Sequence, residues 1–297
     1  MQLLSNPTLR LFIGAALISL SPVWVKLVDV SPTTSGFYRV LIGGAALALY
    51  LLVSGQRLQL SKRTWKILLF AAVFFALDLW FWHRSINYIG PGLSTLLANF
   101  QVFIMTAAGV LILRESPRPV QLIAIPLAVV GLALIVGLDW TNLPADYRLG
   151  VIFGLLTAAS YAGYLLCLRE SRAGSQHRLP SREVAIISLV TAAILCVTAL
   201  LEGESLAISS LDDALWLGAY GLLSHCLGWM FIASSLPHVS TTEAGIALLL
   251  QPTLSFVWDV LFFGRVMTAT ELVGAAIALF AIYMGSRSTS KQTQGIS

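Results

Sequence analysis

The chain has 297 residues, of which 57% are hydrophobic and only 11% charged, with a net charge of +4 and a mean hydropathy of +0.84. A soluble domain carries about 25% charged residues, so this balance excludes an ordinary water-soluble protein. The positive balance does not mark a nucleic-acid binder, because the basic residues are spread between apolar runs and form no patch.

Ten apolar stretches follow one another: 9–28, 34–53, 65–85, 92–113, 119–137, 149–168, 183–201, 214–235, 241–263 and 270–286. Each holds 17 to 23 residues, and about 20 suffice to cross ~30 Å of hydrocarbon as a helix. They predict an all-α membrane protein with ten spans. The first run reaches Lys26 without a small-residue cleavage site after it, so it reads as a retained helix and not a signal peptide. With the N-terminus in the cytoplasm, 13 of the 18 Lys and Arg fall on the cytoplasmic side, Arg57, Arg114, Arg118, Arg178, Arg287 and Lys291 among them, against 5 outside. This bias predicts that both termini are cytoplasmic. Asp139, Asp146, Glu202, Glu204, Asp212 and Asp213 lie in outer loops.

The Asp139–Arg148 break divides the chain into a first half (1–138), an outer loop (139–148), a second half (149–287) and a polar cytoplasmic tail (288–297). The longest loop, Arg169–Arg182, is basic and cytoplasmic. Shifting the chain by 150 residues places Ser85 on Ser235, Gln101 on Gln251, Val110-Leu111 on Val260-Leu261 and Leu122 on Leu272. Five spans per half is an odd number, so the second copy enters the membrane inverted, as in secondary transporters. Helix starts are marked by capping boxes at Ser240–Glu243 and Thr268–Glu271 and by Ser31 and Ser181 as N-caps. Pro22, Pro126 and Pro252 fall inside spans and predict kinks. Small residues four apart, Gly150 with Gly154 and Gly274 with Ala278, allow close helix approach.

Polar groups inside spans are costly and mark function by default. Asp78 in the third span lies ~10 Å below the outer surface and Arg39 in the second ~8 Å below it, counting 1.5 Å per residue. Lys26 sits at a similar level. An Asp78–Arg39 ion pair is the expected way to neutralise both, serving either helix packing or transport. Trp82 shares a helix face with Asp78, while Trp80 points elsewhere. Trp24, Tyr161, Tyr164 and Trp229 supply further rings, for an aromatic wall suited to an apolar or cationic solute or for the interfacial belt. Trp65 and Trp216, at helix starts, read as belt residues. Two residues apart on a helix, Asn99 and Gln101 face nearly opposite ways, so one at most lines a cavity and the other bonds a neighbouring helix; Gln251 lies in the ninth span. His225 is either a titratable site group or a packing hydrogen-bonder. Asp259 and Arg265 lie close enough to the outer end to snorkel to water.

Cys167, Cys196 and Cys226 lie inside spans without metal or redox spacing. GxSxG, HExxH, Walker and GxGxxG patterns are all missing from the sequence, and no cofactor or metal is called for. An intramembrane transferase or a helical scaffold are the alternative readings.

The segments Ser21–Leu27 (SPVWVKL), Gly36–Gly43 (GFYRVLIG), Leu77–Phe103 and Ala247–Trp258 (ALLLQPTLSFVW) resemble the EamA branch of the drug/metabolite transporter superfamily. That resemblance implies two inverted five-helix repeats and residence in the bacterial inner membrane. It implies export by alternating access, with spans 1, 3, 4, 6, 8 and 9 lining the path and 5 and 10 peripheral. The chain departs from the pattern at Val102, where a proline is usual, and at Arg265, which stands opposite the acidic Glu115 of the first half; both bear on the symmetry of the gates. The expected cargo is a small metabolite of the amino-acid or organic-cation class, driven by a proton or solute gradient. Trp82, Asn99, Tyr161, Trp229 and Gln251 are expected nearest a mid-membrane cavity between spans 3–4 and 8–9. Lipid is the other partner, and the chain is a monomer or a homodimer through its peripheral helices.

Overall fold

The computed structural model describes residues 6–55, 60–111, 114, 119–137, 140–172 and 180–286, and among these the secondary structure is helical without a strand. Glu115, Asp139, Arg57, Arg118, Arg178, Arg287, Lys291, residues 173–179 of the long basic loop and the 288–297 tail lie outside the described residues. Among the described residues nine helical stretches are long and apolar enough to cross a membrane. One of them, residues 62–111, is 50 residues long and would measure ~75 Å if straight, more than twice the hydrocarbon thickness. Gly90 interrupts it with φ 83° and ψ 165°. Added at Gly154, a Cβ would lie 2.6 Å from Leu97 Cδ1 and 3.2 Å from Ser85 Oγ. Residues on either side of Gly90 therefore meet at one point, the chain reverses there, and the stretch makes two spans. Counted this way, the described residues hold ten.

The first span is two helices, α1 (Pro7–Ser19) and α2 (Ser21–Leu27). It breaks where Pro22 removes a donor, as the sequence predicts. Carbonyls beside the break take side-chain donors instead, Leu17 from Ser224 Oγ at 2.7 Å and Ser19 from Ser255 Oγ at 3.2 Å. The remaining helices are α3 (Pro32–Val53), α4 (Lys62–Ala98, containing the Gly90 reversal), α5 (Gln101–Leu111), α6 (Pro119–Val136), α7 (Ala145–Ser171), α8 (Ser181–Leu201), α9 (Leu211–Ala219), α10 (Trp229–Ser235), α11 (Thr241–Phe263) and α12 (Ala269–Ser286). A π-helical stretch, Tyr220–Gly228, joins α9 to α10 within the eighth span.

Caps follow the sequence where a small polar residue precedes a helix. Asn6 accepts from Thr8 N and Leu9 N, and Ser31 accepts from Thr34 N. Both capping boxes are present, at Ser240–Glu243 and Thr268–Glu271. Ser181 is a correction: it is the first helical residue, buried, and the N-cap is Pro180 without a side-chain bond. Helices α6 and α11 run through Pro126 and Pro252 without a break.

Of the four packed clusters among the described residues, the two largest each mix both sequence halves. Val40, Leu47 and Leu79 pack with Ile187 and Leu195 in one, and Leu93, Leu96 and Ile135 pack with Phe256 and Ala278 in the other. The small residues do what their spacing predicts. Gly150 and Gly154 bring α7 onto α4, and Gly274 meets Gly131 of α6 so closely that a Cβ at either would stand 2.8 Å from the other's carbonyl oxygen. Large apolar side chains such as Val53, Ile123, Leu201 and Phe280 face outward, the pattern of a protein whose solvent is lipid.

Candidate functional site

Residues of all four clusters, Phe75, Ile282, Ile232 and Trp82 among them, line a cavity of ≈ 220 Å³, smaller than the ~300–1,000 Å³ typical of pockets for drug-sized ligands. Its polar wall includes Arg39, Asp78, Asn99, Gln101, His225 and Gln251. Its rings are Phe75, Trp82, Tyr161, Tyr164 and Trp229. Trp24 and Lys26 are not among the lining residues. Trp24 stacks on Trp216 at 5.5 Å and donates from Nε1 to Ser224 Oγ at 3.2 Å, while Lys26 is exposed at the end of α2. The lining extends to Gly245 and Ser286, at the end of the bundle where α11 begins and α12 finishes. The fifth span, α6, gives no lining residue, but the tenth contributes Ile282 and Ser286 and the second contributes Arg39.

Asn99 and Gln101 both line the cavity, against the expectation for a continuous helix. The helix is not continuous: α4 ends at Ala98 and α5 starts at Gln101, so the 100° step between residues does not apply. Asn99 Nδ2 satisfies itself on Thr95 O at 2.8 Å. Gln101 Oε1, Thr95 Oγ1, Ser21 Oγ and Arg39 Nε are buried with no hydrogen-bond partner among the described residues, and all four residues line the cavity. Orphaned polar groups are costly away from water, and water or a solute in the cavity would satisfy these four; Ser35 Oγ and Arg265 Nε are orphaned outside it.

The expected ion pair is also corrected. Among the described residues no Asp78–Arg39 contact falls within the 4.0 Å limit of a salt bridge. Arg39 instead donates from Nη1 to Tyr220 Oη at 3.0 Å. Its guanidinium lies over the rings of Trp82 and Tyr220, with Cζ 5.4 and 5.0 Å from their centroids, a cation–π cradle that compensates part of the lost hydration. Asp78 is 7% exposed and has no hydrogen bond or ion pair among the described residues. The two charges share one cavity, and neither closes off the other.

Two residues missed at the sequence level stand behind this wall and hold Arg39. His83, fully buried, places Nδ1 2.7 Å from Leu79 O, and its Nε2 is 3.2 Å from Tyr220 Oη. A carbonyl can only accept, so Nδ1 carries a proton; in the neutral ring Nε2 then accepts from the Tyr220 hydroxyl, whose oxygen accepts from Arg39. His83 hides beside Arg84 near the end of an apolar run, and Tyr220 looks like one more belt ring, so only their meeting across three spans exposes them. His225 is hydrogen-bonded to Ser188 Oγ through Nε2 at 2.8 Å and stacks on Phe75, which stacks on Tyr164, which stacks on Tyr161, at centroid distances of 5.9, 4.7 and 5.6 Å. The π-helical winding of Tyr220–Gly228 supplies Ser224 and His225 to the cavity wall; such local rewinding is frequent at functional sites. Gly43 makes room for it, since a Cβ there would meet His225 Cδ2 at 2.5 Å.

The opposite end of the bundle is tied by charge clusters. Arg84 donates from Nη2 to both oxygens of Glu202, at 2.9 and 3.0 Å, and its guanidinium lies 3.9 Å over the ring of Trp80. Trp80 Nε1 and Thr33 Oγ1 also donate to Glu202, and Ser31 donates to Glu204. Burial works against ionisation of Glu202, but the hydrogen bonds from Thr33 and Trp80 and the Arg84 charge outweigh it and hold its carboxyl below the usual value. Asp259 and Arg265 do not snorkel to water. Asp259, 3% exposed, accepts from Gly92 N at 3.0 Å, and Arg265 donates to Ile89 O at 2.8 Å and pairs with Glu271 at 3.2 Å. Together they clasp the backbone on both sides of Gly90. Among the described residues no group of His, Cys, Asp or Glu could hold a metal ion.

Comparison with known proteins agrees with this architecture. The chain is 27% identical to the uncharacterized transporter YwfM of Bacillus subtilis over 266 residues, covering 88% of this chain and 86% of that one. It is 31% identical to the threonine/homoserine exporter RhtA of Escherichia coli K12 over 186 residues, which is 62% of this chain and 60% of the exporter. A solved crystal structure superimposes with a TM-score of 0.66 at 17% identity, covering 94% of this chain and 97% of that one; this likeness concerns the fold alone. The EamA-like transporter family matches twice, over residues 8–137 and 148–287, and the chain is therefore a multi-pass membrane transporter of that family.

Proposed function

We propose that the protein is a secondary exporter of a small metabolite of the amino-acid or organic-cation class. In this reading it works by alternating access in the bacterial inner membrane with both termini in the cytoplasm. The halves 1–138 and 149–287, joined by 139–148, are the two bodies that rearrange, and 288–297 is a cytoplasmic tail. The observation that carries the reading is the cavity itself: it gathers a buried unpaired acid, a cradled arginine and four orphaned polar atoms within an aromatic wall. Gathering an ionisable pair and several of these atoms around one cavity is what a polar cargo would repay. The name of the RhtA relative favours the amino-acid class. The charge clusters close the outer end while the lining reaches the cytoplasmic one, as in an inward-facing state. Asp78 exchanges a proton for cargo in this scheme, since it is buried and among the described residues no hydrogen bond or ion pair holds it.

Uptake of a labelled-solute panel into proteoliposomes, with and without an imposed pH gradient, tests the reading. Accumulation of at least one amino acid or organic cation, accelerated by the gradient, is expected. Transport of none of them by reconstituted, monodisperse protein refutes it. Reporter fusions at Ser297 and within 139–148 should signal opposite sides of the membrane, and same-side signals would remove both the orientation and the inverted repeat.

A further inference from the structure

We infer that the cavity is a divided zwitterion site, in which Arg39, positioned by a Tyr220–His83 relay, takes the cargo's carboxylate and Asp78 takes its ammonium group. The inference rests on the reading of the cavity as the cargo site and goes further in naming the recognition chemistry.

Arg39 has one donor nitrogen engaged, Nη1 on Tyr220 Oη at 3.0 Å, and a buried Nε with no partner among the described residues. A guanidinium presents its donors as a planar fork suited to a carboxylate, so an engaged Nη1 leaves the remaining edge for a second acceptor. The rings of Trp82 and Tyr220 hold its plane from the sides. Tyr220 can accept from Arg39 only if its own proton points elsewhere, and His83 Nε2 at 3.2 Å receives it. His83 in turn is fixed by the bond between Nδ1 and Leu79 O at 2.7 Å. The relay thus orients a charged group it could have neutralised with an acid and did not.

Asp78 is the complementary half. A carboxylate more than nine-tenths buried would ordinarily be paired or bonded, yet this one lines the cavity with neither among the described residues. A solute carrying both charges satisfies Asp78 and Arg39 together. An organic cation would leave Arg39 uncompensated, and a plain carboxylic acid would leave Asp78 so. His225, the remaining titratable ring of the cavity wall, is occupied by Ser188, and the phenols of Tyr161 and Tyr164 carry no charge in the neutral range.

The test is binding to purified full-length protein in nanodiscs, using the twenty standard L-amino acids and L-homoserine, followed by the amide and the deaminated acid of whichever binds. Wild-type protein should bind at least one amino acid and lose about tenfold or more for each analogue, the effect of one charge-assisted contact. Arg39→Gln should abolish the preference for acid over amide and keep the need for the ammonium group; Asp78→Asn should do the reverse. Tyr220→Phe and His83→Gln should narrow the acid-to-amide ratio in protein that stays monodisperse, whereas a merely structural role would weaken both ligands equally. Arg39→Lys, which keeps the charge without the fork, covers the case in which Arg39→Gln does not fold and should narrow the same ratio. Equal binding of acid and amide by wild type overturns the inference. So does binding of tetraethylammonium with no amino acid bound, an outcome that leaves the cargo-site reading standing. Binding of none of these solutes overturns both.

Discussion

Replacing Gly90 by alanine should be among the most damaging single changes outside the cavity. At φ 83° and ψ 165° the backbone occupies a region open essentially to glycine alone, and an L-residue held there costs ~1–3 kcal/mol. The added Cβ would lie 2.8 Å from Asp259 Oδ2, inside contact distance, so the carboxylate must move. Gly92 N–H would then lose its 3.0 Å acceptor in a buried site, at a further ~1–3 kcal/mol. The sum is ~2–6 kcal/mol. Gly55→Ala is the control, because φ there is 64° and nothing lies within 4 Å of an added Cβ; it should cost only ~1–2 kcal/mol of backbone strain. Thermal unfolding in detergent of Gly90→Ala, Asp259→Ala and the double variant gives the coupling. With Asp259 already removed, Gly90→Ala should cost markedly less than it does alone. Equal losses for Gly90→Ala and Gly55→Ala, or an additive double variant, would refute the clasp.

Asp78→Asn should abolish transport while leaving thermal stability unchanged or raised, because the carboxylate has no partner to strand and its burial is a cost. Breaking a buried ion pair would instead lose ~3–5 kcal/mol, so a large drop in melting temperature would reinstate the pair. Cysteines introduced at Trp82, Asn99, Tyr161, Trp229 and Gln251, after Cys167, Cys196 and Cys226 are replaced by alanine, should react with a small aqueous thiol reagent and be protected by cargo; a cysteine at Trp24 should not show that protection. Inertness at all five in a protein that still transports would move the path elsewhere. The Glu202 cluster has a pH signature. Its carboxyl is held below the ordinary 4.5, so its contribution is fully present above that value and is lost as pH falls below it through the folded value. Fluorescence of the wild type minus that of Trp80→Phe should change in this acid window, and the change should vanish in Glu202→Gln.

How much of this was legible beforehand follows from which interactions are local. Span positions came from hydropathy, because the bilayer fixes both the length and the polarity of a crossing helix. The break at Pro22, the caps at Ser31, Ser240 and Thr268 and the close approach at Gly154 and Gly274 were equally legible, each depending on a few neighbouring residues. Partners across spans were not. Arg39 and Asp78 stand at matching depths in the sequence, and depth alone made them a pair; the structure turned Arg39 toward Tyr220 of the eighth span, 181 residues away. His83 became a positioning candidate only because the fold sets its ring between Leu79 and Tyr220. Asp259 and Arg265 looked like residues reaching for water until the Gly90 reversal brought unsatisfied backbone groups to them. The break between α4 and α5 put Asn99 and Gln101 on one cavity, where helical periodicity sets them apart. A sequence thus determines where each helix runs and how deep each polar group sits, because hydrocarbon acts on every residue separately. Which buried charge meets which partner is decided by how the spans rotate and cross, and only the tertiary structure holds that information.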